Sequence, residues 1–361
     1  MANAATCGLG AYDPGHDLPA LRQRFAAAIA ELGSNENPLG PSPRALAAAQ
    51  AALAEVHRYP DPKGGALKTA LARQMGVGAG QIALGNGSHE LLMLLAQCFA
   101  DTAHTVVYSQ FGFAVFALAA TASGAHAIAV PALPLDHPAA PLGHDLDAIA
   151  AVAGEDTRLI YLANPNNPTG SWFEDVALAA FLDRVPADVL VVVDEAYHEY
   201  VDVPGLSSAL RFTGRHSNLV VTRTFSKAYG LAGLRVGYAV AHPSVIAVLE
   251  RLRESFNVNS LALAAAAVAL GDREHLVRVR DFTLGERAWL AAELARRGYR
   301  TLPSQTNFLL LDLARNATPL ERHLFERGVI VRPMNGYGLD HALRISIGSR
   351  AENLRLLEAL P

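Results

Sequence analysis

Short apolar segments alternate with helical patterns along much of the chain, and this alternation restricts the possible folds more than any other feature. Helical patterns separate the predicted strands, which span residues 81–84, 105–108, 158–162, 189–193 and 219–222. Parallel strands need helical crossovers, which cover both faces of a sheet and leave its strands apolar throughout. The pattern therefore predicts an α/β fold in which a mostly parallel sheet lies between helices. Ligands of such sheets bind at the carboxyl ends of the strands.

The pattern changes after about Pro243, where long helical stretches are followed by a few short strand-like segments. A chain of 361 residues has the length of about two domains. We therefore predict a large domain over residues 45–245 and a smaller α+β domain over residues 246–361. Residues 1–44 are predicted to form an N-terminal arm that joins the smaller domain.

The composition excludes several classes of protein. Hydrophobic residues make up 51% of the chain and charged residues 18%, which is too apolar for a disordered chain. A net charge of −4 leaves no surplus of cations for nucleic acid. Two cysteines without a CxxC pair indicate neither a disulfide framework nor a zinc site, and no metal is predicted. Because no signal peptide or bilayer-spanning apolar segment is recognisable, the sequence predicts a cytoplasmic protein without a membrane partner.

Charged and hydroxyl groups follow two of the predicted strands. Asp194 comes directly after five apolar residues, where a carboxylate is costly to bury without a cationic partner. Thr224, Ser226 and Lys227 follow the next strand and combine two hydroxyl groups with an amine. Arg235 lies among glycines a little further on. The hydroxyl and cationic groups of residues 224–235 indicate an anion-binding loop, and the alternative interpretation is a glycine-rich surface loop. For Asp194, the alternative interpretation is an acid that faces water.

Two turns between predicted strands and helices complete the pattern. Residues 85–88 precede a helix, whose first backbone N–H groups favour an anion such as phosphate. Residues 164–170 contain two Asn-Pro steps, which impose a rigid turn and fix the Asn164 amide at a strand end. With the acid, the phenol of Tyr197 and Lys227, these groups match a cofactor with a phosphate, a ring nitrogen, a phenolic oxygen and an aldehyde. That cofactor is pyridoxal phosphate.

In this order, the segments resemble the fold-type-I, pyridoxal-phosphate-dependent aminotransferases, and among them the histidinol-phosphate aminotransferase family. The matching segments cover nearly the whole chain and are residues 12–15, 34–40, 58–61, 85–88, 164–170, 194–197, 226–227, 230–235, 331–333 and 343–345. The resemblance implies the fold of that family, with a large sheet-containing domain and a smaller α+β domain. It also implies amino transfer between glutamate or 2-oxoglutarate and histidinol phosphate or imidazole-acetol phosphate, a step of histidine biosynthesis.

The resemblance further implies roles for individual residues. Lys227 would bond to the cofactor and move the proton, and Asp194 would pair with the ring nitrogen. Tyr197 and Asn164 would hydrogen-bond the ring oxygen, and Phe111 would stack on the ring. The phosphate of the cofactor would be held by Gly87, Ser88, Thr224, Ser226 and Arg235.

Other residues are implied to bind substrate or to join two subunits. Arg344 would hold the carboxylate of glutamate. Tyr12 and Arg332 would face the phosphate of histidinol phosphate, with Asn37 also on the substrate side. Tyr59 would reach the cofactor phosphate of the neighbouring subunit, which implies a homodimer.

Three other functions stay open at this stage. They are an aromatic amino-acid aminotransferase on the same scaffold, a decarboxylase of phosphorylated amino acids, and a non-catalytic cofactor-binding homologue. The presence of Lys227, Asp194 and Arg344 argues against the non-catalytic homologue. His89 stands where relatives often carry Asn or Asp, and we interpret it as a polar residue at a helix N-terminus rather than a substrate contact.

Overall fold

The computed structural model describes Cys7, residues 18–25 and residues 29–361, and its strands form three sheets. In chain order the strands are β1 (Ala30–Glu31), β2 (Ile82–Gly85), β3 (Thr105–Ser109), β4 (His126–Val130), β5 (Thr157–Ala163), β6 (Leu190–Asp194), β7 (Leu219–Thr224), β8 (Gly237–Val240), β9 (Arg300–Thr301), β10 (Phe308–Asp312), β11 (Val329–Ile330), β12 (Arg332–Pro333) and β13 (Ala342–Ser346).

The helices lie mostly between the strands. In chain order they are α1 (Leu18–Arg24), α2 (Pro43–Ala52), α3 (Gly65–Met75), α4 (Ser88–Phe99), α5 (Ala114–Ala122), α6 (Leu146–Val152), α7 (Asp175–Leu182), α8 (Pro243–Leu252), α9 (Ser260–Gly271), α10 (Arg273–Arg296), α11 (Thr318–Glu326) and α12 (Arg350–Ala359). Within the described ranges, no helix combines the length and the apolar character needed to cross a membrane.

The seven-stranded sheet has the order β2-β8-β7-β6-β5-β3-β4. Strands β7, β6, β5, β3 and β4 run parallel, and β8 is antiparallel to both of its neighbours. Val192 of β6 packs with side chains of α4 and α5, whereas Val191 and Val193 pack with those of α6 and α7. Because helices cover both faces, every residue of β6 is buried. The predicted α/β fold with a mostly parallel sheet between helices is confirmed.

Two smaller sheets lie towards the C-terminus. One has four antiparallel strands in the order β12-β13-β10-β9, and the other pairs β1 with β11 in parallel. Both sheets pack in one apolar cluster with α10 and α12, which contribute Leu290 and Leu356 respectively. The pairing of β1 with β11 therefore attaches the chain around residue 30 to the C-terminal part of the molecule.

Helices α8 and α9 pack on the large sheet, although the predicted large domain ends at residue 245. Leu249 of α8 belongs to the same apolar cluster as Val192. The alanines of α9 pack against α2 and α3, where they meet Ala45 and Leu67. The domain division stays a prediction, and this packing favours a boundary near Arg273, at the start of α10.

Strands β4 and β8 of the seven-stranded sheet are not among the strands predicted from the sequence. The β8 segment begins with Gly237, one of the glycines that surround Arg235 in the sequence and predict a loop there. A Cβ at position 237 would lie 2.4 Å from the backbone nitrogen of Ser88. Position 237 therefore requires glycine because its backbone lies close to the backbone of Ser88. Glycine serves the same purpose inside strands, so its presence does not by itself indicate a loop.

We expect Phe116→Ala to lower the free energy of unfolding by about 3–5 kcal/mol, because it leaves a cavity in a close-packed cluster. The Phe116 ring is fully buried and stacks on Tyr161 of β5, with 4.9 Å between ring centroids. Val176→Ala on α7 is the control, since Val176 is 71% exposed, and its effect should stay within about 0.5 kcal/mol. Denaturant titration measures both variants, and equal losses would contradict the packing described for α5.

Candidate active site

A cavity of about 720 Å³ opens where the carboxyl ends of β5, β6 and β7 meet strands β12 and β13. Ligand sites of parallel α/β sheets lie at such strand ends. The structure brings most of the predicted site residues onto its walls. They are Ser88, Asp194, Tyr197, Thr224, Ser226, Lys227, Arg235, Arg332 and Arg344.

Asp194 is the last residue of β6, and its side chain is buried beside the cavity. Thr222 lies opposite it on β7, and its Oγ1 donates a hydrogen bond to Asp194 Oδ1 at 2.8 Å. Burial raises the pKa of Asp194 to about 7, and the hydrogen bond from Thr222 opposes this rise. Because a cation placed against a buried carboxylate stabilises its charged form, the position suits a protonated ring nitrogen.

Lys227 follows β7, and its half-buried side chain lines the same cavity. Its Nζ donates a hydrogen bond to the backbone carbonyl of Ser34 at 3.2 Å. Burial lowers the pKa of Lys227 to about 8; the positive charges of Arg344 and Arg235 also lower it, and Glu36 opposes them. A lysine with a lowered pKa supplies the neutral amine that acts as nucleophile and base.

The phenol of Tyr197 lies on the cavity wall and is buried. Its Oη accepts a hydrogen bond from Asn35 Nδ2 at 2.9 Å, and its ring packs edge-on against Phe308 with 5.3 Å between centroids. Burial raises the pKa of Tyr197 to about 12. The phenol therefore keeps its proton at neutral pH and acts as a hydrogen-bond donor.

Hydroxyl groups and a guanidinium converge at the N-terminus of α4. Arg235 Nη1 and Thr224 Oγ1 both donate to Ser226 Oγ, at 3.2 Å and 3.0 Å. Gly87 precedes α4 with a φ of 83°, and a Cβ there would lie 2.4 Å from Arg235 Nη2. Glycine at position 87 thus leaves room for the guanidinium beside the helix end. Backbone N–H groups, hydroxyls and a guanidinium together suit a phosphate group.

Two arginines occupy the wall formed by the four-stranded sheet. Arg332 on β12 and Arg344 on β13 are direct register partners, so their side chains leave the sheet on one face. Arg344 is buried, and it donates through Nη1 to Asn167 Oδ1 at 2.6 Å and through Nη2 to the carbonyl of Gly33 at 2.7 Å. Paired guanidinium groups recognise carboxylates and phosphates.

The structure corrects the assignment of Asn164 to the cavity. Its Nδ2 donates to the carbonyl of Phe173 at 2.9 Å, and its Oδ1 accepts from the Phe173 backbone nitrogen at 3.2 Å. Both amide atoms therefore hold the turn. The second Asn-Pro step of the same turn places Asn167 on the cavity wall, in contact with Arg344.

Between β3 and α5, the phenylalanine on the cavity wall is Phe113, two residues after the predicted Phe111. Phe111 is buried in an apolar cluster with Leu310 and Met334. Its carbonyl accepts a hydrogen bond from Asn166 Nδ2 at 2.8 Å. The segment between β3 and α5 carries aromatic residues at both positions, and the sequence does not distinguish the one that packs from the one that faces the cavity.

Two further predicted residues, Asn37 and Tyr59, do not line the cavity. Asn37 Nδ2 donates to the carbonyls of Gly40 and Ala228, and its side chain holds a turn beside the site instead of lining the cavity. Tyr59 lies on the surface of its own chain. Tyr12 lies outside the described residues.

Comparison with known proteins identifies the family. The sequence model of aminotransferase classes I and II matches residues 28–360. The chain belongs to this family. It is 45% identical over 361 residues to histidinol-phosphate aminotransferase 1 of Nitrosococcus oceani and 48% identical over 363 residues to histidinol-phosphate aminotransferase 2 of Pseudomonas aeruginosa. Each alignment covers 100% of this chain and 96% of the relative.

Solved structures agree with the sequence relatives. The crystal structure of histidinol-phosphate aminotransferase from Sinorhizobium meliloti in complex with pyridoxal-5'-phosphate has a TM-score of 0.88 and 31% identity, covering 100% of this chain and 96% of that one. Thermus thermophilus aspartate aminotransferase, at 21% identity and a TM-score of 0.85, shares the fold. The predicted family resemblance, enzyme class and cofactor are confirmed, whereas the roles of individual site residues stay predictions.

We expect Asp194→Asn to change how the stability of the cofactor-free protein depends on pH. The pKa of Asp194 rises from 3.8 to about 7 on folding, so the folded protein binds more protons than the unfolded chain between these values. This contribution to stability is fully present below about pH 4 and is lost as the pH rises through 7. Asparagine has no carboxyl group to ionise, so the variant does not lose this stability. Its free energy of unfolding at pH 8 should exceed that of the wild type by up to about 4 kcal/mol.

Urea unfolding between pH 4 and pH 8 measures this difference, which should close towards the acidic end. Asp188→Asn is the control, because the Asp188 side chain is 73% exposed. A stability difference for Asp194→Asn that does not vary with pH would show that its carboxyl is not desolvated as described.

Proposed function

We propose that this chain transfers an amino group between glutamate and imidazole-acetol phosphate, giving 2-oxoglutarate and histidinol phosphate. The observation that carries the proposal is the register pair of Arg332 and Arg344 in the same cavity as Lys227 and Asp194. One guanidinium suits the carboxylate of glutamate and the other suits a phosphate. The names and the 44–48% identity of the sequence relatives support the same reaction.

Pyridoxal phosphate fits the residues that are present. Burial makes the charged form of Asp194 unfavourable unless a cation lies beside it, and a protonated pyridine nitrogen is such a cation. Tyr197 and Asn167 would donate to the ring oxygen. The phosphate would be held by the backbone at Gly87 and by Ser88, Thr224, Ser226 and Arg235. When bound, the cofactor takes up the electrons that remain on the substrate's α carbon after the proton leaves.

Three residues of the chain bind the substrates and move the proton. Arg344 binds the substrate carboxylate, which fixes the position of the α carbon. Burial lowers the pKa of Lys227 to about 8, which makes the neutral form of Nζ accessible near neutral pH; in that form Nζ accepts the proton from the α carbon and holds it as an ammonium. Arg332 binds the phosphate of the second substrate. Since both substrates use one cavity in turn, the kinetics should be ping-pong.

Aromatic amino-acid transfer is the second candidate. Phe113 and Tyr337 line the cavity, and Tyr337 Oη accepts a hydrogen bond from the backbone nitrogen of Ala114 at 3.1 Å. Aromatic walls of this kind pack against the ring of an aromatic oxo acid. Such a substrate carries no phosphate, so it would leave Arg332 without its proposed ligand.

We expect Arg332→Ala to lower kcat/KM for imidazole-acetol phosphate about 100-fold, because a charge-assisted contact with the phosphate is lost. The half-reaction with glutamate should change by less than about threefold. Arg344→Ala should impair mainly the half-reaction with glutamate, whose carboxylate Arg344 is proposed to bind, and Arg315→Ala on the exposed loop before α11 is the control. Steady-state transfer to imidazole-acetol phosphate and to phenylpyruvate provides the measurement. A wild-type preference for phenylpyruvate would overturn the proposed substrate in favour of the second candidate.

We also propose that the enzyme is a homodimer in which Tyr59 reaches the site of the neighbouring subunit. Tyr59 is 83% exposed, and its ring stacks on Phe256 with 4.6 Å between centroids. Leu53 and Val56 just before it are also exposed. Exposed apolar side chains that lie together are typical of a protein–protein contact.

Mixing two impaired variants tests this arrangement. In a heterodimer of Tyr59→Ala and Lys227→Ala chains, the chain with Lys227 receives Tyr59 from its partner, so one site of the two is complete. After subunit exchange, an equal mixture should therefore recover about a quarter of wild-type activity. If Tyr59 instead served its own chain, both sites of every heterodimer would be defective and the mixture would gain nothing over the separate variants.

A further inference from the structure

Residues 33–35 contact three side chains of the site. Two backbone carbonyls of this segment accept hydrogen bonds from Arg344 Nη2 at 2.7 Å and from Lys227 Nζ at 3.2 Å. The side chain of Asn35 donates to Tyr197 Oη at 2.9 Å. The segment thus joins the arginine of the four-stranded sheet to the lysine and the phenol beside the seven-stranded sheet.

A serine on β13 sets the orientation of the Asn35 amide. The backbone nitrogen of Asn35 donates to Ser346 Oγ at 2.8 Å, and Ser346 Oγ donates to Asn35 Oδ1 at 3.1 Å. With the amide oxygen facing the serine, the hydroxyl proton of Ser346 has Oδ1 as its acceptor and Asn35 Nδ2 donates to Tyr197 Oη. The reverse orientation would take this acceptor from the hydroxyl proton. The hydrogen-bond network, rather than the shape of the side chain, decides this orientation.

The orientation of the amide decides what Tyr197 can do with its own proton. A phenol carries one hydrogen and accepts through its oxygen. Because Tyr197 Oη already accepts from Asn35, its O–H cannot point at Asn35 and is left to donate elsewhere. Because Tyr197 lies on the cavity wall, its O–H can point at an oxygen atom of a ligand in the cavity.

We propose that Asn35 is a positioning residue that holds Tyr197 as a hydrogen-bond donor towards the cofactor's phenolic oxygen, and that Ser346 orients Asn35 for this task. The inference rests on the proposed function, because that oxygen belongs to pyridoxal phosphate. It extends the function by connecting β13, which carries the substrate-binding Arg344, to the group that stabilises charge on the cofactor.

The backbone of Asn35 has a left-handed conformation that favours asparagine or glycine at this position. Its φ is 55° and the residue is 1% exposed, and its carbonyl accepts from Asn307 Nδ2 at 3.0 Å. Asparagine adopts this left-handed conformation more readily than most residues, and glycine adopts it freely. Asn35→Gly therefore removes the amide while the backbone path stays accessible.

The visible absorption of the holoenzyme offers a direct readout. A donor to the phenolic oxygen stabilises its anion, so loss of that donor raises the pH at which the absorption band changes. The charged and titratable groups that act on Tyr197 and Lys227 are Arg344, Asp194, Tyr337, Glu36 and Arg235. All of them remain in the variants described below, and only Asn35→Asp adds a charge, so the shifts of the uncharged variants report the hydrogen bond.

We expect Asn35→Gly to move the midpoint of this spectral titration upward by about one pH unit, since hydrogen bonds to charged groups are worth about that much. Asn35→Asp places an acceptor where the donor stood and should shift the midpoint at least as far. Ser346→Ala should give a smaller shift in the same direction. Asn307→Ala is the matched control, because it removes a contact to the Asn35 carbonyl and leaves the amide in place.

Combining the changes shows whether Asn35 acts through the phenol. In the Tyr197→Phe background, Asn35→Gly should cause no further shift. An unchanged midpoint in Asn35→Gly and Asn35→Asp would overturn the proposal, as would an equal shift in the Tyr197→Phe background. The expected shifts in a holoenzyme that fails to use imidazole-acetol phosphate would refute the proposed substrate and still support the role of Asn35.

Discussion

The buried carboxylate of Asp194 is the constraint on which the arrangement of the site depends. A charge buried in the centre of a sheet is costly unless hydrogen bonds and opposite charges compensate for it. The parallel register places Asp194, the last residue of β6, opposite Thr222, two residues before the end of β7, where the Thr222 hydroxyl donates to it. The loop after β7 then has to bring Lys227 back over the same strand ends.

The two tasks of the site are carried by different sheets. The ends of the seven-stranded sheet supply the carboxylate, the phenol and the lysine, while the four-stranded sheet supplies Arg332 and Arg344. Residues 33–35 connect them through three direct hydrogen bonds. The groups proposed for proton transfer and those proposed for substrate binding therefore lie on different sheets, and this segment holds the two sets in place relative to each other.

Most of the fold could be predicted from the sequence because buried parallel strands are apolar throughout, and groups directly after such strands must reach the strand-end cavity. Side-chain direction within a turn could not be predicted. Asn164 and Asn167 share one turn, and the backbone of Phe173 decides which of them is used structurally. The contact of Asn35 with Tyr197 spans 162 residues, so no local pattern reveals it.

The contacts of Arg344 with Asn167 and Gly33 have a consequence for which anions the enzyme retains. Nη1 and Nη2 each donate to a neutral oxygen, and these two bonds hold the planar guanidinium in one orientation before a ligand arrives. A carboxylate presents two oxygens in one plane, which matches two of the five N–H groups of a guanidinium held in this way. A halide offers a single acceptor and cannot form such paired contacts. The resting hydrogen bonds thus favour planar carboxylates over simple inorganic anions.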